Sequence, residues 1–126
     1  MIDTSVWLAA RRQPLVADVL DQLIDADLAA VPLPVRLELL SRVARKDRKA
    51  FYAAHSALPL LVPTEETMLS LTDWVERAAD AGETFGVSDL LVAAVAAEIG
   101  GLVWSLDKDF ERMARLEFVK LYQLPH

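Results

Sequence analysis

Apolar and polar positions follow two rhythms along this chain: short, nearly continuous apolar runs, and longer stretches in which apolar residues recur at helical spacing. "MID" at 1–3 reads as the end of a first strand. Pro14 suits the first turn of a helix whose apolar face is Leu15, Val16, Val19, Leu20, Leu23 and Ile24. "LAAVPL" at 28–33 is a second strand, followed by helices from about Pro34 to Arg45 and from about Asp47 to Leu58. "LPLLVP" at 58–63, bounded by prolines, reads as a buried strand. Thr64 is placed as the N-cap of a helix with Glu65, Glu66 and Thr67 in its first turn, stopping near Gly82. Gly86 marks a loop, Ser88 caps the next helix, and Gly100 and Gly101 end it. "LVWS" is a strand, "FERMARL" a short helix and "EFVKLYQL" a last strand. Strands separated by helices predict an α/β fold with a mainly parallel sheet of about four to five strands flanked by helices.

Composition narrows the class. With 126 residues and 54% hydrophobic content, the chain can bury a core as one domain over residues 1–126. There is no cysteine, which removes disulfides and thiolate metal sites. No signal-like segment opens the sequence, and acids, Arg or Gly interrupt every apolar window short of a membrane span, so a soluble, cytoplasmic protein is expected. The net charge of −6 argues against a surface coated for nucleic acid. "RVARKDRK" at 42–49 is the exception, with Arg42, Arg45, Lys46, Arg48 and Lys49 offset by Asp47 alone. It reads either as a solvated helix end or as a contact for a polyanion such as RNA.

The acids carry the candidate chemistry. In a parallel α/β sheet, functional residues collect at the carboxyl ends of strands and at the helix starts that follow. Asp3 ends the first strand, Glu38 lies early in the helix after the second, Asp89 heads the "SDLLVAAV" helix and Asp107 follows "LVWS". Each alone has an ordinary explanation in capping and the helix dipole. Four carboxylates facing one cleft repel unless a cation neutralises them, and an all-oxygen set suits Mg²⁺ or Mn²⁺. Such an ion supports phosphodiester hydrolysis without histidine or cysteine. Other chemistries lack their parts: His55 has no Ser or Cys partner in range, His126 stands last in the sequence, no Gly-rich phosphate loop is present, and Trp7, Trp74 and Trp104 are expected in the core. Asp107, directly after its strand, is expected to point into the cleft, while Asp109, just before "FERMARL", is expected to cap that helix.

"IDTSVW", "VRLELLSR", "SDLLVAAVAAEIGG" and "LVWSLDKDFERMA", in that order and spacing, resemble the successive motifs of a PIN-domain ribonuclease of the VapC-like toxin kind. The resemblance spans almost the whole chain. It implies a Mg²⁺- or Mn²⁺-dependent endoribonuclease, typically a homodimer, held inactive by a small cognate antitoxin. Position by position, it implies that Asp3 and Asp89 hold the metal, that Glu38 and Asp107 complete the pocket, and that Ser5 braces Asp3. Asp109 is the alternative fourth acid, because "WSLDKDF" departs from the Thr-rich version of many relatives. Only Met1 and Ile2 precede Asp3 where the family has several apolar residues, which leaves little strand to anchor it. Two other readings stand beside this one: a PIN-like domain that binds RNA or a partner without cutting, and a carboxylate-dependent phosphohydrolase acting on DNA or a small phosphate ester.

Overall fold

A computed structural model describes residues 1–124; His126 lies outside the described residues. Seven helices alternate with short parallel strands among those residues. The helices are α1 (Thr4–Ala10), α2 (Pro14–Asp25), α3 (Leu33–Ser41), α4 (Arg48–His55), α5 (Glu65–Asp80), α6 (Val87–Glu98) and α7 (Lys108–Arg115). The strands are β1 (Val31–Pro32), β2 (Leu60–Leu61), β3 (Leu102–Val103) and β4 (Lys120–Leu121). β1 pairs with β2 through Val31 opposite Leu60, and β3 pairs with β4 through Leu102 opposite Lys120. The segment 1–3 joins the two pairs. Ile2 bridges Trp104 in parallel, and the Ile2 amide donates to Ala30 O at 3.1 Å. The backbone order across the molecule is therefore β2, β1, residues 1–3, β3, β4.

This is the expected α/β plan with shorter strands. Asp3 is well anchored despite the brevity of its segment. Its amide donates to Trp104 O at 3.0 Å, and the Trp104 amide donates to Met1 O at 2.8 Å. Two neighbours grip the segment from either side, which compensates for its length. "LPLLVP" is not a buried strand: Leu60 is exposed and Leu61 half-buried, because β2 is an edge with a neighbour on one side only. α3 ends at Ser41 and not near Arg45; a 3₁₀ turn at Arg45–Asp47 leads into α4.

α6 answers to its greasy sequence. Leu90 and Val92 to Ala96 are all buried, so the helix is surrounded and has no polar face along its middle. Alanines at 93, 94 and 96 let neighbours approach its backbone closely. α6 packs on α5 and on α3, and Phe110 and Met113 of α7 complete the same core. Thr64 caps α5 as expected, through a box in which the N3 partner is Thr67. Gly82 and Gly100 follow α5 and α6 with φ of +75° and +64°, conformations open to glycine at little cost. On α2, Val16 and Leu20 are buried while Leu15, assigned to the same apolar face, is 81% exposed. Trp104 is buried, and Trp7 and Trp74 are half-buried against the core.

Candidate metal centre

Asp3 sits at the join between the first segment and α1, and its carboxylate is buried. It caps α1 through the Ser5 amide at 3.4 Å. Ser5 Oγ and Ser105 Oγ each donate to Asp3 Oδ2 at 2.8 Å. The proton of each hydroxyl being committed, its lone pairs accept from the loop behind: Leu106 N–H bonds Ser5 Oγ, and Asp107 N–H bonds Ser105 Oγ, both at 3.0 Å. All three bonds to the Asp3 carboxylate fall on Oδ2, so among the described residues Oδ1 has no donor.

Asp89 stands in the first turn of α6, whose N-cap is Gly86. Ser88 is thus inside the helix and does not cap it; its hydroxyl instead donates to Glu38 Oε1 at 2.7 Å, tying α3 to the start of α6. Asp89, Asp107 and Asp109 each offer a carboxylate oxygen, and the three oxygens lie within 4.8 Å of one another. Burial first, then the charges of Asp3, Asp107, Asp109 and Glu38, push the Asp89 carboxyl up to about 6. All the sequence-assigned acids therefore act on one point, although only three form the tight group.

The roles of the last pair differ from expectation. Asp107 is the N-cap of α7, its Oδ1 accepting from Asp109 N–H at 2.9 Å. Asp109 does not cap: it is the second residue of α7, and the N-cap place is filled by Asp107. Asp109 pairs instead with Arg112, one turn along α7, and Arg112 also pairs with Glu83. Its guanidinium lies 5.1 Å above the centre of the Phe85 ring. Those two carboxylates hold the Arg112 guanidinium above its usual range.

Ser105, Arg112 and Glu83 were not assigned to the site from sequence. A hydroxyl two residues before Asp107, and an arginine three after Asp109 on a helix, were the available signals. Glu83 had none, since its approach to Arg112 depends on how α7 packs. Arg42, Arg45, Lys46, Arg48 and Lys49 are exposed on the end of α3, the 3₁₀ turn and the start of α4. His55 lies outside the site, stacked on Phe51 at 4.3 Å with Trp7 tilted against it at 4.9 Å, where burial and Arg36 lower its basicity.

The donor set fits a hard divalent cation. Two oxygens bound to one Mg²⁺ stand about 3 Å apart side by side and about 4 Å apart across it. Three carboxylate oxygens within 4.8 Å of one another are close enough to converge on such an ion through small side-chain rotations. No helix among the described residues is long and apolar enough to cross a membrane.

Residues 1–116 match the family described as PIN domain. No curated protein sequence matches the chain. Two solved structures share its architecture at low identity. VapBC2 from Rickettsia felis, bound to a DNA fragment from its promoter, superposes with a TM-score of 0.79 at 16% identity, covering 99% of this chain and 98% of that one. VapBC-1 from nontypeable Haemophilus influenzae gives 0.74 at 20% identity, covering 98% and 96%.

Proposed function

This chain belongs to the PIN domain family, and on that premise we propose that it is a metal-dependent endoribonuclease that hydrolyses RNA phosphodiester bonds as the toxin of a toxin–antitoxin pair. The observation that carries the reading is the group of Asp89, Asp107 and Asp109 oxygens within 4.8 Å, with Asp3 braced beside it. With three carboxylates this close and the Asp89 carboxyl pushed up to about 6, a bound divalent cation would relieve the repulsion among them.

Asp3 and Asp89 are the direct ligands in this reading, with Asp107 or Asp109 closing the set and Glu38 held by Ser88 at its rim. Mg²⁺ or Mn²⁺ bound there supplies charge stabilisation to the phosphate and makes water a competent nucleophile near neutral pH. The chain's own part is orientation. Ser5 and Ser105 fix the Asp3 carboxylate through Oδ2 and leave Oδ1 to the cleft, and the α6 N-terminus presents Asp89 from a helix that cannot shift without disturbing the core. Arg42, Arg45, Lys46, Arg48 and Lys49 position RNA phosphates near the acids.

In this reading the protein is a cytoplasmic homodimer, regulated by a small cognate antitoxin that covers the cleft and offers a cation to the carboxylates; the likeness in fold to two VapBC structures supports the pairing with an antitoxin. The test is cleavage. Purified protein freed of any partner should cut single-stranded or loop RNA with Mg²⁺ or Mn²⁺ and stop in EDTA, and Asp3→Asn or Asp89→Asn should remove activity with the fold intact. Full activity in either variant, or cutting that persists in EDTA, would overturn the assignment.

A further inference from the structure

Arg112 is a cation beside a group of acids, yet it does not fill the gap between them. One arm of its guanidinium pairs with Asp109 and the other with Glu83, and its flat face rests on Phe85. Glu83 and Phe85 lie in the loop between α5 and α6, four and two residues ahead of Val87, where Asp89's helix begins. Asp109 lies in the first turn of α7. The side chain therefore spans the two elements that bring Asp89 and Asp109 together, and its planar fork is matched to two carboxylates at once.

We propose that Arg112 is a positioning residue for the metal site: it fixes the Asp109 carboxylate and locks α7 to the loop ahead of α6, while Glu83 holds the guanidinium to one side so that it does not occupy the cation's place. The inference rests on the reading of the acids as a metal centre. Glu83 is essential to it. A guanidinium held by Asp109 alone could swing onto Asp107 and Asp89 and compete with the ion, whereas one anchored at both ends stays put.

The sign of one measurement separates positioning from mere charge. If Arg112 acted only as a nearby positive charge, its removal would make the site more negative and tighten divalent cation binding. If it positions Asp109, its removal weakens binding. Outer partners of metal ligands commonly change affinity by about 10- to 100-fold when mutated. Mn²⁺ binding to the full chain, read by titration calorimetry and by Mn²⁺ electron paramagnetic resonance, is the readout, with urea unfolding as the control for folding.

Arg112→Gln should bind Mn²⁺ about 10-fold more weakly or worse. Arg112→Lys should share that defect, since a single ammonium keeps the charge and cannot span both acids. Glu83→Ala should also weaken binding, by releasing Arg112 toward the acids. Combining Glu83→Ala with Arg112→Gln should then do no more harm than Arg112→Gln alone, because Glu83 acts only through Arg112. Unchanged or tighter Mn²⁺ binding in Arg112→Gln overturns the proposal, as does a defect fully restored by Lys. Additive losses in the double variant overturn the role given to Glu83. Absence of Mn²⁺ binding in the unsubstituted protein overturns the metal reading itself, a separate outcome visible before any variant is made.

Discussion

Asp89 makes the site's electrostatics measurable one residue at a time. Its carboxyl is raised to about 6 from an ordinary 3.8, by burial first and by its acidic neighbours after that. A raised acid binds its proton more tightly in the folded than in the unfolded chain. Its contribution is fully favourable below pH 3.8 and is lost as pH rises through about 6. Without metal, the protein should therefore lose stability between pH 4 and 7 relative to Asp89→Asn, by about 1 kcal/mol once solvent screening of a half-exposed group is discounted. Thermal unfolding of both proteins across that range, in EDTA, is the measurement, and a difference independent of pH would contradict it. Ser105 makes a second case at this scale. It gives Asp3 one of its two hydroxyl donors and receives the Asp107 amide. Ser105→Ala should cost about 1–2 kcal/mol in urea unfolding, by leaving a buried carboxylate short of a donor, and Ser105→Thr should recover most of it.

The elements were more legible in the sequence than the contacts between their ends. Helix spacing marked α2, α5, α6 and α7, and the order of short apolar runs marked a parallel sheet. What the pattern could not supply was the phase of a cap. "LDKDF" offers two aspartates to one helix N-terminus, and local preference does not say which turns inward. The Asp107 amide is held by Ser105, across from Ser5 of α1, and that distant grip starts α7 at Lys108 and leaves Asp107 as its cap. Ser88 was misplaced for a like reason: its partner, Glu38, is fifty residues away in sequence. The neighbourhood of the acids was readable, because strand ends and helix starts meet at one edge of such a sheet. Asp107→Ala should cost about 1 kcal/mol through the lost cap, while Asp107→Asn should retain the cap, since an amide oxygen accepts the same Asp109 N–H. Equal losses in the two variants, measured by denaturant unfolding, would show that charge at Asp107, not capping, supports α7.

Over the whole molecule, a net charge of −6 coexists with five exposed cations between Arg42 and Lys49. Overall repulsion of a polyanion thus coexists with a local attraction at this segment. Reversing two of those five charges, for instance Arg45→Glu with Arg48→Glu, should weaken RNA binding and flatten its dependence on salt by roughly one counterion per lost contact. Filter binding over a range of KCl concentrations is the check, and an unchanged slope would return the segment to a solvated turn. Residues 1–3 have a consequence of a different kind. They lie in the middle of the strand order, between β1 and β3, and Asp3 is braced from Ser105 across 102 positions of sequence. A ribosome makes residues 1–3 before either of their neighbours, β1 soon after them and β3 only after most of the helices. Until Ser105 and the two aspartates after it emerge, the growing chain holds Asp3 without that brace and Asp89 without Asp107 and Asp109. The acidic pocket therefore closes only once the segment 105–109 has been made, and a chain that stops short of it lacks the group of three acids.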